Sequence, residues 1–211
     1  SNSMADNGRM KAAKNAANTF IETLLANGSD KTKICVLAFG SEVYQFSQFS
    51  NDANYLKNSV NLIEANGGGT YTQKAVHVAR NFLNSSTANG KHIVLISDGE
   101  PTFSTQLRNP WPYFEKIEFG PVSYYETNKI APESAYLYGY SAAGNGSSMY
   151  SKYGNYFYNH GNSAIAEAGF AKNDGNKVWT VGLDTNDITN KILSEMASPG
   201  GSLQSTPSEL S

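Results

Sequence analysis

The chain has 211 residues, of which 39% are hydrophobic. This suits one large domain, or a medium domain with a long insertion. Only 16% of the residues are charged, against roughly a quarter in an average domain. The net charge of −2 gives no reason to expect a nucleic-acid or anionic membrane partner. No apolar stretch approaches the roughly 20 residues that span a bilayer.

The first half of the chain alternates between helix and strand patterns. Apolar residues recur at helical spacing over 9–25, which predicts an amphipathic helix. The apolar run "KICVLAF" at 33–39 predicts a strand buried on both faces. The alternating "VYQFSQF" that follows predicts an edge strand or a hairpin partner. Asn51 or Asp52 can cap a second helix that runs to about Glu64.

The second half continues the alternation around a long interruption. A third helix is predicted over 72–83, and "KHIVLISDGEP" predicts a buried strand that stops in a polar turn. Helix, strand and helix follow at 164–172, 177–183 and 187–196. This order predicts an α/β fold, a doubly wound, mostly parallel sheet with helices on both faces.

Both ends of the sequence look cut. A helix pattern begins at once with no strand before it, and the chain stops soon after a helix start. In that start Thr206 is the cap, Pro207 lies in the first turn and Glu209 follows the cap by three residues. We therefore expect residues 1–211 to be a single domain, truncated at both ends.

The only cysteine, Cys35, excludes an internal disulfide. It lies inside the apolar run "ICVLAF" and is expected to be a buried, inert thiol. The low cysteine content fits a cytosolic protein and also a surface protein stabilised without disulfides, so it does not decide the compartment.

Three loops that precede helices or follow strands carry oxygen side chains. Ser1 and Ser3 precede the first helix, Thr70 and Thr72 precede the third, and Asp98 follows "IVLIS". In an open parallel sheet such loops meet at the carboxyl ends of the strands. Hydroxyls and a carboxylate are hard ligands, which suit Mg²⁺ or Mn²⁺ rather than zinc.

The order and spacing of three motifs resemble a known family. "SNSM" is similar to the end of the Asp-x-Ser-x-Ser metal motif of von Willebrand factor A (VWA) domains. "GGGTYT" resembles the threonine loop of that family, and "VLISDGEP" resembles its second aspartate loop. The similarity covers the chain except for residues from about 103 to 160. It implies a VWA fold with a metal-ion-dependent adhesion site (MIDAS).

The resemblance implies a set of metal ligands. Ser1 and Ser3 would bind the ion through their hydroxyls, Thr70 would bind it directly in the ligand-ready state, and Asp98 would bind it directly or through water. The ion would be Mg²⁺ or Mn²⁺, with Ca²⁺ as an alternative. Its open coordination position would accept an acidic side chain of the partner.

One part of the motif is absent. The first aspartate of the family motif would lie two positions before Ser1, so the chain begins inside the motif. We expect the 211-residue chain to bind Mg²⁺ poorly and to be unstable or self-associating without the upstream strand. Asn2, Tyr71 and Glu100 flank the proposed ligands and are candidates for contact with a bound partner.

Less specific interpretations apply to several of these residues. Ser1 and Ser3 could cap a helix, and Thr72 suits a cap or a hydroxyl behind the ligands better than a ligand. The glycines at 67–69 are not followed by Gly-Lys-Ser/Thr, which argues against nucleotide binding. The three histidines lack metal-ligand spacing, and no Gly-x-Ser-x-Gly is present, so no enzyme is predicted.

Residues 103–160, called the arm here, hold 10 of the 13 tyrosines and show no sustained helical period. Tyrosine gives a large contact area with a polar tip, as in binding surfaces. A self-packed structural element would be equally rich in tyrosine, and both interpretations stay open. Arms inserted beside the metal loops resemble the A domains of pilus-tip adhesins of Gram-positive bacteria.

The leading functional expectation is a cell-surface adhesion module of a bacterial pilus-tip adhesin. It would bind a host or extracellular-matrix protein through a metal-bridged acidic residue, and other pilus subunits through its parent chain. No nucleic-acid partner and no membrane insertion are expected. Low charge and abundant Gly, Ser, Asn and Tyr favour this extracellular, non-enzymatic role. The alternative is an intracellular VWA scaffold or regulator of an ATPase or chelatase-type assembly.

Overall fold

The computed structural model describes residues 2–5, 8–28, 30–66, 68–119, 122–139, 142–153 and 156–209. Their α-helices are α1 (Arg9–Asn27), α2 (Ala53–Asn61), α3 (Thr72–Asn84), α4 (His160–Asn173) and α5 (Asp187–Met196). Their strands are β1 (Leu37–Phe39), β2 (Val43–Gln45), β3 (His92–Ser97), β4 (Phe103–Thr105), β5 (Glu115–Phe119), β6 (Val122–Glu126), β7 (Ala142–Gly144), β8 (Tyr150–Tyr153), β9 (Tyr156–Asn159), β10 (Lys177–Leu183) and β11 (Ser202–Ser205). Short 3-10 helices lie at Asn2–Ala5, Trp111–Tyr113 and Glu133–Ala135. None of the helices in these residues is both long and apolar enough to cross a membrane.

A three-stranded parallel sheet in the order β11–β10–β3 lies at the centre of the fold. Leu95 of β3 pairs with Thr180 of β10, and Ser97 pairs with Gly182, so the two strands end at the same edge. Helices α3, α4 and α5 pack on one face of this sheet and enclose the main core with it. The predicted α/β architecture with a parallel sheet is confirmed.

The central strands β3 and β10 are buried on one face only. Ile93 and Leu95 are buried, whereas Val94 between them is 41% exposed. Trp179 of β10 pairs with Val94, and its indole N–H donates to His92 Nδ1 at 3.0 Å. The prediction of a buried strand therefore holds for alternate residues of β3 only. A continuous apolar run does not reveal whether one face or both faces of a strand are covered.

The predicted hairpin of β1 and β2 is confirmed, with Phe39 opposite Val43. Ile34 and Val36, just before β1, pack against Leu56 of α2 and the inner side of α1. The run at 33–39 is half-buried rather than buried on both faces, and only its last three residues form the strand. Among the described residues, β1 pairs with β2 alone.

Local hydrogen bonds agree with the predicted cap of α2 and with the predicted pairing of Thr206 and Glu209, although the described residues after Thr206 form a turn and no helix. Asp52 accepts a hydrogen bond from the Tyr55 N–H at 3.0 Å, as expected for the cap of α2. Near the C-terminus, Glu209 accepts from the Thr206 N–H at 2.7 Å, and this hydrogen bond lowers the pKa of Glu209. Residues 207–209 form a turn there. Strand β11 before it was not predicted from the sequence.

The arm contains regular structure that the sequence did not predict. Strands β5, β6, β9 and β8 form a four-stranded sheet in that order, and β4 pairs with β7. The arm ends where α4 begins at His160, four residues earlier than the predicted start of that helix. Leu107, Tyr136 and Ala131 pack with Ala166 of α4, so the arm has a core against the helical layer.

A buried ion network joins the arm to α3 and α4. Arg80 of α3 donates to both oxygens of Glu133 in the arm, at 2.6 and 3.1 Å. It also donates to Asp174 at 2.5 Å and to Glu167 of α4 at 3.3 Å. The hydrogen bond with Glu133 raises the pKa of Arg80, and that with Arg80 lowers the pKa of Asp174. Four charges from three parts of the chain are thereby held together.

The carboxylate of Glu167 has no solvent exposure and lies at the centre of this network. His77 Nδ1 lies 3.0 Å from it, and the Tyr138 hydroxyl of the arm donates to its other oxygen. The His77 and Tyr138 rings stack at 4.0 Å. Burial, followed by the nearby charge of Glu167, raises the pKa of Tyr138, so this phenol stays protonated and keeps donating.

His160 makes a second link between the arm and the helices. Its buried ring lies 2.8 Å from the Ser104 hydroxyl through Nδ1 and 2.6 Å from the Ser151 hydroxyl through Nε2. Burial lowers the pKa of His160 to about 4. The ring is therefore neutral at physiological pH, and it connects β4 and β8 to the first turn of α4.

We expect Arg80→Met to destabilise the fold by about 3–5 kcal/mol, because it leaves Glu167 buried without its arginine partner. Lys191→Met is the control, since Lys191 and Glu195 form an exposed pair at 4.0 Å and such pairs contribute about 0–1 kcal/mol. Urea unfolding followed by circular dichroism measures both. A cost below about 1 kcal/mol for Arg80→Met would contradict a stabilising role for the network.

Candidate functional site

Asp98 lies where the sequence predicted, directly after β3 at the carboxyl edge of the sheet. Its side chain is only 2% exposed. The Ser97 hydroxyl donates to the Gly99 carbonyl at 3.3 Å and closes the turn on both sides of Asp98. A carboxylate removed from water in this way needs cationic or hydrogen-bonding partners.

Ser3 lies in the short 3-10 helix before α1 and faces the Asp98 turn. A Cβ placed on Gly99 would lie 3.7 Å from the Ser3 hydroxyl oxygen. Gly8 holds the cap position of α1, and no side chain caps this helix. The helix-cap interpretation of Ser3 is therefore not supported. Ser1 lies outside the described residues, and Asn2 is described through its backbone only.

Thr70 precedes α3 and is held to the loop after Asp98 by backbone hydrogen bonds. Its N–H donates to the Thr102 hydroxyl at 2.7 Å, and its carbonyl accepts from the Thr102 N–H at 2.9 Å. Among the described residues, the Thr70 hydroxyl makes no hydrogen bond of its own. The threonine loop and the aspartate loop are therefore one connected unit with an available oxygen donor.

The neighbouring Thr72 does not cap α3, because Tyr71 holds the cap position and no side chain caps the helix. The other expected role of Thr72, a hydroxyl behind the ligands, stays a prediction. The Thr72 hydroxyl is buried and finds no hydrogen-bond partner in the part of the chain that the structure describes.

The arm reaches the threonine loop. Gly69 has a φ of +43°, and a Cβ there would lie 2.2 Å from the Phe103 ring and 3.0 Å from the Gly146 Cα. Gly144 has a φ of +137°, and a Cβ there would lie 2.3 Å from the Thr102 carbonyl oxygen. Only glycine permits these approaches, so Phe103 of β4 and Gly146 just after β7 pack on the loop that carries Thr70, while Gly144 of β7 packs on Thr102 and Phe103.

Tyr71 and Glu100 were predicted to contact a bound partner. The Tyr71 ring is buried beside Phe103, and its hydroxyl lies 3.0 Å from the Thr105 hydroxyl. Glu100 is partly exposed and accepts from the Asn186 side chain at 3.0 Å. Glu100 thus lies nearer to solvent than Tyr71, and a partner contact by either residue stays a prediction.

Arg9, the first residue of α1, was not identified from the sequence. Its guanidinium lies 3.7 Å from Asp98 Oδ2 and 3.5 Å from the Ser3 carbonyl, and it donates to Asp184 Oδ2 at 2.6 Å. Asp184 follows β10 as Asp98 follows β3, so the same rule for strand ends could have identified it. Nothing in the sequence indicates that Arg9 meets Asp184, 175 positions away.

The oxygen groups at this edge fit a small divalent cation. They comprise the Ser3 and Thr70 hydroxyls and the Asp98 carboxylate, which are hard donors of the kind that Mg²⁺ and Mn²⁺ prefer. The described residues hold no group of three or more His, Cys, Asp and Glu side chains suited to a metal. The described residues therefore contain no cluster of thiolate or imidazole ligands for a softer metal.

A family model for the von Willebrand factor type A domain matches residues 1–100. This range contains Ser3, the Thr70 loop and the Asp98 turn. The chain has a VWA fold. The resemblance inferred from the three sequence motifs is thereby confirmed, and the solved structures that share the fold include domains from pilus proteins.

The minor fimbrium subunit Mfa5 of Porphyromonas gingivalis is 26% identical over 225 residues, which cover 85% of this chain and 18% of that protein. The crystal structure of the vWF domain of Mfa5, a type V pili tip protein, matches 100% of this chain and 88% of that chain. The TM-score is 0.86 at 24% identity. The chain therefore spans less than a fifth of the curated relative.

Two further solved structures share the fold at greater distance. The pilus adhesin SpaC of Lactobacillus rhamnosus GG has a TM-score of 0.75 at 19% identity, over 100% of this chain and 28% of that one. Proximal thread matrix protein 1 of the mussel byssus has a TM-score of 0.59 at 15% identity, over 100% of this chain and 42% of that one. Its MIDAS motif is occupied by zinc.

We expect Thr102→Val to cost about 1–3 kcal/mol, because it removes the acceptor of the Thr70 N–H and leaves a buried donor unpaired. Thr102→Ser keeps the hydroxyl and should retain most of the wild-type stability. The free energy of unfolding in urea measures both variants. Equal stability of the valine and serine variants would show that this hydrogen bond does not hold the loops together.

Proposed function

We propose that this VWA chain is the adhesion module of a bacterial surface pilus protein and binds an acidic group of its partner through a divalent cation. Two observations support this proposal: the Ser3 hydroxyl lies beside the turn at Asp98 and Gly99, and Thr70 is hydrogen-bonded to Thr102 in the loop that follows Asp98. In a VWA fold this edge lies open to a ligand. The similarity to pilus tip domains supports the pilus assignment.

The ion would be held by the Ser3 and Thr70 hydroxyls and by Asp98, with Ser1 as a further hydroxyl donor. Mg²⁺ or Mn²⁺ suits these donors best, and Ca²⁺ is the alternative. A bound cation would supply an electrophilic coordination position for a partner carboxylate. Glu100 and Asn2 lie next to these donors in the sequence and would contact the bound partner.

The arm offers a second contact surface for the partner. Trp111 is 57% exposed and lies edge-on to Phe114 and Tyr156, at 5.8 and 4.7 Å between ring centroids. Rigid aromatic side chains provide a large contact area at low entropic cost. Because Phe103 and Gly146 of the arm pack on the Thr70 loop, a partner could touch the arm and the proposed metal site together.

The proposal places the protein at the bacterial cell surface and gives it a non-enzymatic role. Host or extracellular-matrix proteins would be the partners of this domain, and other pilus subunits would bind the rest of the parent chain. The pilus tip relatives favour this role over an intracellular scaffold in an ATPase or chelatase-type assembly.

We expect Asp98→Asn to lower the affinity for Mg²⁺ or Mn²⁺ by at least about tenfold, since it removes the charged donor of the set. Thr70→Val should lower the affinity less, because a neutral hydroxyl is lost. Asp30→Asn, which alters an exposed loop, is the charge-matched control. Calorimetric titration measures all four proteins, and wild-type affinity in the Asp98 variant would reject this metal site.

We expect Trp111→Ala to weaken adhesion about tenfold, as substitution of a central aromatic contact often does, while the loss of its contacts with Phe114 and Tyr156 lowers the stability by about 1–2 kcal/mol and leaves the protein folded. Tyr44→Ala is the control, because Tyr44 is 58% exposed and lies in the β1–β2 hairpin outside the arm. Beads coated with each protein are counted on cultured epithelial cells, with and without EDTA. Unchanged adhesion by the Trp111 variant would make the arm a structural element only.

A further inference from the structure

Arg9 lies between two carboxylates at the proposed metal edge. Its Nη2 and Nε donate to Asp184 Oδ2 at 2.6 and 3.3 Å, and its Nη1 lies 3.7 Å from Asp98 Oδ2. The Arg9 side chain is 17% exposed, the Asp98 side chain 2% and the Asp184 side chain 44%. One guanidinium is therefore shared between a buried carboxylate and an exposed one.

We propose that Arg9 is the internal counter-ion of Asp98 and sets the affinity of this edge for cations. A carboxylate this deeply buried is costly without a positive partner. Arg9 supplies the positive charge beside Asp98 when no cation is bound. The same charge repels a cation that approaches Asp98. The part of this inference that concerns cation affinity rests on the proposed metal site, whereas the pairing of Arg9 with Asp98 does not.

Asp184 keeps Arg9 in this shared position. It follows β10 and has a φ of +53°, the only positive φ of a non-glycine residue in the described part of the chain. Its N–H donates to the Ser205 carbonyl at 3.0 Å, which fixes the turn. Strained backbone of this kind persists where the surrounding structure fixes it, often at functional sites. Here it directs a carboxylate toward Arg9.

Substitution of Arg9 and substitution of Asp184 should shift the Mg²⁺ affinity in opposite directions. Arg9→Gln removes the competing charge and should raise the Mg²⁺ affinity about tenfold, since a unit charge close to a divalent ion repels it. Asp184→Asn leaves Arg9 with Asp98 alone, which should lower the affinity by a similar factor. Arg9→Lys keeps the charge and should stay near the wild-type affinity.

Calorimetric titration with MgCl₂ measures these affinities, with Lys11→Gln as the control. Lys11 is an exposed cation on the same helix, and its removal should leave the affinity unchanged. A loss of affinity in both the Arg9→Gln and Asp184→Asn variants would overturn the counter-ion role, because a purely structural role weakens the site in either case. A gain in Lys11→Gln equal to that in Arg9→Gln would overturn it as well.

A second measurement needs no metal. In EDTA, thermal unfolding of wild type, Arg9→Gln, Asp98→Asn and the double variant forms a double-mutant cycle. Arg9→Gln should lower the unfolding temperature more when Asp98 is present than when residue 98 is Asn, where only the contact of Arg9 with Asp184 is lost. Additive effects would overturn the pairing. Non-additive effects in a protein that binds no Mg²⁺ would uphold the pairing while rejecting the proposed metal site.

Discussion

The parallel pairing of β3 with β10 is the constraint on which the proposed site depends. Because Ser97 lies opposite Gly182, both strands end together and the carboxylates that follow them, Asp98 and Asp184, lie at one edge. Like charges brought together in this way need a cation between them. Arg9 of the first helix meets that need with contacts to both. The register of two strands thus determines the charge distribution of the whole edge.

The arm is connected to the Thr70 loop of the proposed metal site. Thr102 holds Thr70 by two hydrogen bonds and leads directly into β4 of the arm. The arm is also fixed on α3 and α4 at Glu133 by Arg80, and at Ser104 and Ser151 by His160. A displacement of the arm would therefore be transmitted to the Thr70 loop.

The sequence was sufficient to predict the parts of the fold that rest on local patterns. Apolar periodicity gave the central helices and strands, and the rule for strand ends placed Asp98 at its edge. The strands of the arm were missed because its tyrosine, serine and glycine residues have no clear period, and their pairing depends on neighbours distant in the sequence. Arg9 was missed for the same reason, since its carboxylate partners lie far along the chain.

Arg80 and Arg9 have different roles because their carboxylate partners differ in number and burial. Arg80 is surrounded by Glu133, Glu167 and Asp174, so its charge is more than balanced and it stays in place as part of the core. Arg9 has two carboxylates at an edge that faces solvent. In the proposed metal site, a cation would bind Asp98 while Arg9 keeps its hydrogen bonds to Asp184. Arg9 can therefore release the buried Asp98 and stay bound to the exposed Asp184. Such an arrangement suits a site that binds and releases a ligand.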